Sequence, residues 1–84
     1  MSKHDRMLLQ VLNGASDANI GFDELCGLLA RLGFQCRVRG SHHIFFKSGV
    51  VDRINLQRDG HNAKPYQVRQ VRRIISSNGL GGNV

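Results

Sequence analysis

The chain has 84 residues, which is room for one domain and excludes a multidomain enzyme. Its 40% hydrophobic and 21% charged residues are typical of a folded globular domain, and two cysteines are too few for a disulfide scaffold. No run is apolar enough to span a membrane and no signal peptide is recognisable, so we expect a cytoplasmic protein without membrane contact.

The charge balance of the chain is strongly positive. Twelve Lys and Arg residues stand against six Asp and Glu residues, which gives a net charge of +6 at pH 7. A positive field over so small a surface favours polyanionic partners such as nucleic acid. Basic residues also improve solubility by themselves, so the charge indicates a phosphate-rich partner only in combination with other features.

Apolar residues recur at helical spacing in three segments. The first segment precedes Gly14 and is followed by a polar loop at residues 15–19. The second is the best defined, because its apolar stripe begins at Phe22 and Gly33 stands where a left-handed C-cap is expected. The third begins at Pro65, a residue type that is favoured in the first turn of a helix.

Between the second and third helices, side chains alternate with the period of two that is typical of strands. Strands are predicted at residues 34–39, 42–47 and 50–56, joined by the two-residue turns Gly40–Ser41 and Ser48–Gly49. Such short turns join antiparallel neighbours. We therefore predict an α+β fold of order α-α-β-β-β-α, with a three-stranded antiparallel sheet and helices on one face of it.

The organisation that these elements predict is a single domain. Its parts are an extra N-terminal helix within 1–20, a core at 22–78 and a flexible glycine-rich tail at 79–84, and together they make up 1–84. Cys26 and Cys36 are interpreted as reduced side chains of the core. No set of histidines, cysteines and carboxylates has the spacing of metal ligands, so neither a metal nor a cofactor is predicted.

The most distinctive stretch is Arg39-Gly40-Ser41-His42-His43-Ile44-Phe45-Phe46, in which a Gly-Ser-His turn leads into the second strand. A helix ending in Leu-Gly-Phe, this turn, two more strands and a closing helix together resemble the HicA toxins. The resemblance covers about residues 22 to 78, and the segment before Phe22 is additional to it. It implies a fold similar to a double-stranded-RNA-binding domain.

The resemblance also implies an activity and a partner. HicA proteins are metal-independent ribonucleases that cleave messenger RNA as toxins of type II toxin–antitoxin pairs, and a HicB antitoxin covers their active site. By this resemblance the turn of the motif falls on Gly40 and Ser41, and the catalytic histidine falls on His42. His43 is the second candidate, because a slip of one residue exchanges the two faces of a strand.

Cleavage of RNA without a metal requires a base for the 2′-hydroxyl, an acid for the leaving oxygen and positive charge around the phosphate. Histidine suits the first two roles, since its usual pKa of about 6.5 lies near working pH. Arg37, Arg39 and Lys47 are candidates for binding the phosphates, with Arg53 near them across the sheet. Without the resemblance, we would expect one histidine to be half-buried and the other solvated, with no catalytic role for either.

Lys64 and three arginines of the last helix, Arg69, Arg72 and Arg73, lie opposite its apolar stripe and predict a basic ridge. The ridge is a candidate for binding RNA phosphates, for pairing with an acidic antitoxin, or for a purely solvated helix face. Three functions therefore stay open at this point. They are a ribonuclease, a non-catalytic RNA-binding module of the same fold, and a protein whose basic surface serves only a partner chain.

Overall fold

A computed structural model of the chain describes residues 2–81. Its helices are α1 (Lys3–Asn13), α2 (Phe22–Arg31) and α3 (Pro65–Ser77), and a short 3₁₀ turn spans Asp17–Asn19. Its strands are β1 (Gln35–Arg39), β2 (His42–Lys47), β3 (Val50–Leu56), β4 (Arg58–Asp59) and β5 (Asn62–Ala63). The predicted α+β fold and its α-α-β-β-β-α order are confirmed, and the 3₁₀ turn and the β4–β5 hairpin are additions to it.

The main sheet follows from the two short turns. Strands β1, β2 and β3 lie in sequence order and pair antiparallel, as predicted. Gly40 has a φ of 60°, and a left-handed residue at the first turn position gives the hairpin the twist of its strands. A β-bulge interrupts the pairing of β2 with β3 between Phe45 and Lys47, with the result that Ile44 pairs with Asn55.

The hydrophobic core lies between the helices and one face of the main sheet. Phe45, Ile54 and Leu56 point from that face into a cluster that they share with residues of the helices. The buried apolar residues are Leu8, Val11, Ile20, Phe22, Leu25, Leu28, Leu29, Phe34, Phe45, Ile54, Leu56, Ala63, Val68, Val71, Ile74 and Ile75. The side chains at the alternate positions of the strands lie on the opposite face of the sheet. This open face includes His42, Ile44 and Phe46 of β2.

The N-terminal helix is part of the same core. Ser2 and Asp5 form a reciprocal capping box, in which each side chain accepts a hydrogen bond from the other residue's backbone N–H. Gly14 ends the helix with a φ of 78°. Leu8 and Val11 are buried, and α1 packs against both α2 and α3. The additional helix therefore completes the hydrophobic core of the domain.

The chain after α3 closes the helix before the described residues end. The backbone N–H of Leu80 donates to the Ile75 carbonyl across Gly79, which has a φ of 64°. The Leu80 side chain packs against the core. Of the predicted tail, residues 82–84 lie outside the described residues.

The β4–β5 hairpin holds the link between β3 and α3 against the start of α2. The backbone N–H of Phe22 donates to the carbonyl of His61, in the turn of this hairpin, at 2.9 Å. This attachment matters for the site, because Arg58 and Lys64 at the two ends of the hairpin then line one cleft with Ser41.

Candidate functional site

The two adjacent histidines of β2 point to opposite faces of the sheet. His43 lies on the same face as Phe45, and its ring meets Phe22 edge-on with 4.9 Å between ring centroids. His42 lies on the open face with Phe46 and is exposed. Strand alternation therefore gives the two catalytic candidates different neighbours.

Two amide side chains orient the ring of His42. Its Nδ1 is 3.0 Å from Asn55 Oδ1, and its Nε2 is 3.3 Å from Gln57 Nε2. An amide oxygen only accepts and an amide nitrogen only donates, so the two contacts together select the neutral tautomer with the proton on Nδ1. The lone pair of Nε2 then lies at the exposed end of the strand, where it can act as a base.

Gln57 connects His42 to two other residues of the predicted site. Its amide nitrogen also donates to Ser41 Oγ at 3.3 Å, and its amide oxygen accepts from Lys64 Nζ at 3.5 Å. Its backbone N–H donates to Oε1 of the buried Gln67 at 3.1 Å. Because the lysine ammonium only donates, its contact determines that the amide nitrogen of Gln57 faces His42.

A cleft of about 350 Å³ lies beside the β1–β2 turn on the side of His43. Its lining residues are Gly40, Ser41, His43, Gln57, Arg58 and Lys64. Lys64 places positive charge in its wall and favours a phosphate group as the occupant, whereas Arg58 is ion-paired with Asp23. The Nδ1 atom of His43 is buried without a hydrogen-bond partner among the described residues, so only the other ring nitrogen is available to a ligand there.

Arg37 and Arg39 lie on the open face beside β2. The strand register pairs Arg39 with His42 and Arg37 with Ile44. Residues directly opposite each other in an antiparallel pair have Cβ atoms about 5 Å apart. Arg53 reaches the same face from β3. The open face is therefore basic on both sides of the strand that carries His42.

Lys47, which was predicted to bind RNA with these arginines, lies on the other face. Its Nζ is 2.6 Å from the position that a Cβ atom on Gly33 would occupy, which puts the ammonium group at the end of α2. A cation interacts favourably with the negative C-terminal end of a helix dipole. The structure thus separates Lys47 from His42 because the two residues occupy odd and even positions of one strand.

The prediction that Arg72 belongs to an exposed ridge is wrong. Its guanidinium group forms a bidentate ion pair with Asp17, at 2.9 and 3.1 Å, and donates to the Val11 carbonyl at 3.1 Å. The hydrogen bonds from Arg72 lower the pKa of Asp17, and the same pairing raises the pKa of Arg72. Arg69 and Arg73 are exposed. Arg72 therefore attaches α3 to the N-terminal segment, and the two exposed arginines stay predicted RNA contacts.

The cysteines divide between the core and the surface. Cys26 is half-buried, and burial raises the pKa of its thiol to about 11, so the thiol stays protonated. Cys36 was expected in the core but is exposed. It lies on β1, which is at the edge of the sheet and has all of its residues exposed. Among residues 2–81, no three side chains of the metal-binding types lie together, and no helix there is long and apolar enough to cross a membrane.

Asn55 and Gln57 contact His42, and the sequence pattern did not predict these contacts. An uninterrupted hairpin from the Ser48–Gly49 turn would pair His42 with Asn55. The bulge pairs Ile44 with Asn55 instead, which brings Gln57 level with His42. Polar side chains at alternate positions of β3 and just after it were the available signal, and the bulge decided which of them meets which ring nitrogen.

Residues 22–77, more than half of the chain, match a family model described as HicA toxin of bacterial toxin–antitoxin. The match runs from the first residue of α2 to the last residue of α3 and includes the Gly-Ser-His turn. The class of protein is therefore that of the toxins of bacterial toxin–antitoxin systems, which pair with an antitoxin. The chain belongs to the HicA toxin family, as the resemblance implied. No curated protein and no solved structure matches the chain.

Proposed function

We propose that the protein is the endoribonuclease toxin of a type II toxin–antitoxin pair and cleaves messenger RNA without a metal ion. Membership of the family supports the toxin role. The observation that carries the proposed chemistry is the exposed ring of His42, whose two nitrogens are oriented by Asn55 and Gln57. The reaction is proposed to take place at the end of β2 that adjoins the Gly40–Ser41 turn.

In the proposed reaction, the 2′-hydroxyl of a ribose replaces the Gln57 amide as the hydrogen-bond donor to Nε2 of His42. Nε2 accepts the hydroxyl proton while the 2′-oxygen forms a bond to the adjacent phosphorus. The bond from that phosphorus to the 5′-oxygen of the next nucleotide breaks, and the leaving oxygen takes a proton from water. The products are a 2′,3′-cyclic phosphate and a 5′-hydroxyl end, and His42 returns its proton to solvent. General base catalysis of this kind contributes about 10²–10⁴-fold to the rate.

Neighbouring side chains support this chemistry in two ways. Asn55 accepts from Nδ1 of His42, which keeps the ring in the productive tautomer and stabilises the imidazolium that forms. Arg39 lies opposite His42 in the register, and Lys64 contacts Gln57, so both cations are proposed to stabilise the negative charge on the phosphate in the transition state.

His43 is the weaker candidate for the base. Its Nδ1 is buried, and its ring packs against Phe22. The cleft that it lines contains Lys64, which is proposed to contact the phosphate that is cleaved, and Arg58, which is ion-paired with Asp23. In this arrangement His43 shapes the phosphate site without exchanging a proton with the RNA.

One observation favours a second function, a non-catalytic RNA-binding module of the same fold. Among residues 2–81, the side chains that hydrogen-bond to His42 are Asn55 and Gln57, and neither is an acid or a base. A basic sheet face binds RNA whether or not a side chain beside it can act as a general base. The two functions predict the same affinity for RNA and differ in whether the RNA is cut.

The proposed partner protein is a HicB-like antitoxin that covers His42 and the basic open face. The net charge of +6 favours an acidic surface on that partner, because opposite potentials speed association. The proposed location is the cytoplasm, where both messenger RNA and the antitoxin are present.

The test of the proposed function is cleavage of an end-labelled messenger RNA by the purified protein in excess EDTA. The wild type should cut, and His42→Ala should lose at least about a hundredfold in rate while it keeps its affinity for RNA. His61→Ala is the matched control, because His61 is exposed in the turn between β4 and β5. The wild type and the control should also arrest growth when they are induced in a bacterial host, and His42→Ala should not.

Two results would contradict the proposal. Binding without cleavage by the soluble wild type would favour the non-catalytic module. Full cleavage by His42→Ala together with loss in His43→Ala would move the reaction to the cleft on the helix side.

A further inference from the structure

The ring of Phe46 lies between two guanidinium groups on the open face. Arg37 of β1 approaches to 5.9 Å from the ring centroid, and Arg53 of β3 approaches to 5.8 Å. Both distances are within the range of a cation–π interaction. Phe46 is only half-buried, so its ring is accessible from solvent.

A second cation–π pair in the molecule shows what a structural use of these groups looks like. Arg58 lies 4.5 Å from the ring centroid of Phe22, which is buried, and Arg58 is ion-paired with Asp23. Arg37 and Arg53 have no such carboxylate partner among residues 2–81, where the ion pairs are those of Arg58 and Arg72. The arginines at Phe46 therefore keep their charge available for a ligand.

From this arrangement we infer that Phe46, Arg37 and Arg53 form a nucleobase-stacking subsite for single-stranded RNA. The inference rests on the proposed function and names its substrate class. A base takes the place of a guanidinium group on the face of the phenyl ring, and the two guanidinium groups turn to the phosphates on either side of that nucleotide. Aromatic rings on a basic sheet surface are suited to this purpose, because every base has a face that can stack.

The chemistry of the subsite selects a single strand over the other polyanions. The bases of a duplex are already stacked and paired, so they cannot present a face to Phe46. An acidic protein surface would satisfy the arginines but would gain no base stacking from the ring between them. A strand with unpaired bases uses both the ring and the charges.

The position of the subsite fits a strand that also reaches His42. Phe46 is four residues along β2 from His42, which is a distance of about 13 Å, and Ile44 lies between them on the same face. A few nucleotides span that distance. The subsite therefore holds a base that lies outside the bond that is cut and sets the register of the RNA on the sheet.

The first experiment uses the absence of tryptophan from the chain. Phe46→Trp introduces one fluorescent ring at the subsite, and titration with a single-stranded 2′-O-methyl oligouridylate should quench it by stacking. This probe lacks the nucleophilic hydroxyl and so stays intact. Leu9→Trp, at an exposed position of α1, is the matched control and should not be quenched. The same oligonucleotide paired with its complementary strand should quench neither variant.

The second experiment separates stacking from charge. Phe46→Leu keeps an apolar side chain and removes the ring, and it should weaken binding of the single strand about tenfold without changing the dependence of affinity on salt. Arg37→Gln should weaken binding and also lower the slope of log K against log salt by about one. Thermal melting of each variant checks that the sheet is intact.

The inference fails if Phe46→Trp binds the oligonucleotide without quenching, or if Phe46→Leu binds it as tightly as the wild type. It also fails if Phe46→Leu and Arg37→Gln weaken the complex with a co-expressed antitoxin and leave RNA binding unchanged, because the open face is then a protein-docking surface. Cleavage is scored separately. A wild type that binds through Phe46 and does not cut RNA would contradict the proposed ribonuclease and support the subsite.

Discussion

On the helix side of the sheet, Phe45 is buried in the core and His43 packs edge-on against Phe22. On the open side, Phe46 lies between two arginines and the ring of His42 is held by amide side chains. Each face thus has one histidine and one phenylalanine of β2. Their roles follow from the face on which each side chain lies, because the two faces differ in burial, in charge and in access to a ligand.

The arginines repeat this contrast. Arg72, on the helix side, is bound to Asp17 and to a backbone carbonyl, and it joins two parts of the fold. Arg37 and Arg53, on the open side, contact an aromatic ring and have no carboxylate partner among the described residues. A basic composition therefore contains both ion-paired cations and cations without a carboxylate partner, and only their contacts distinguish them.

The largest effect is expected when the two histidines are exchanged for alanine one at a time. His42→Ala should lower the rate of RNA cleavage by about 10²–10⁴-fold, because it removes the general base. His43→Ala should keep the rate within about tenfold and lower the melting temperature, because it removes a packed ring. Single-turnover cleavage and thermal melting measure the two effects. Equal losses of rate would contradict the assignment of the base to the open face alone.

The two phenylalanines should differ in stability. Phe45→Ala is expected to lower the free energy of unfolding by about 3–5 kcal/mol, because it leaves a cavity in the core. Phe46→Ala should cost about 1 kcal/mol, because its ring is only half-buried. Urea denaturation measures both values, and a larger loss for Phe46 would contradict the assignment of the faces.

The pairing of Arg72 with Asp17 predicts a pH-dependent contribution to stability. The pKa of Asp17 is lowered from its ordinary value of 3.8, so the pair stabilises the fold at neutral pH and the stabilisation is lost as pH falls through the pKa of folded Asp17. Arg72→Ala should lower the free energy of unfolding by about 2 kcal/mol at pH 7 and by less near pH 3. Arg73→Ala is the control, since that side chain is exposed. Urea denaturation at the two pH values should show this difference for Arg72→Ala alone.

The smallest effect is expected from the amide that orients His42. Asn55→Leu removes the acceptor for Nδ1 and should lower kcat by about tenfold with KM unchanged. Asn55→Asp keeps an acceptor at the same place and should retain most of the activity. A change in KM alone would indicate that Asn55 contacts the RNA and does not position the base.

Much of the fold was predictable because its signals are local. The bounds of β2 and β3 follow from alternation between two-residue turns, and the start of α3 follows from Pro65. The left-handed conformation of Gly33, with a φ of 98°, follows from its place after an amphipathic helix. Each of these features depends on a few neighbouring residues, which is why a pattern reveals it.

The residues of the proposed site differ in how clearly the sequence marks them. His42 and the Gly40–Ser41 turn are predicted because a motif marks them, and Arg39 because it is adjacent to that turn. Asn55 and Gln57 were missed because a β-bulge sets their register with β2. Arg72 was misplaced because a helix pattern indicates which residues lie opposite the core and does not show Asp17, which is far away in the chain.

By itself the sequence determined the element order, the antiparallel sheet, the membership of the family and the two adjacent histidines on one strand. Only the tertiary structure decided which histidine faces the open side, because either face of β2 is apolar enough to be buried. It also decided which arginines are ion-paired within the fold and which have no carboxylate partner among the described residues. Pairing across the sheet and between distant segments depends on contacts that no local pattern contains, and those contacts distinguish His42 from His43 and Arg37 from Arg72.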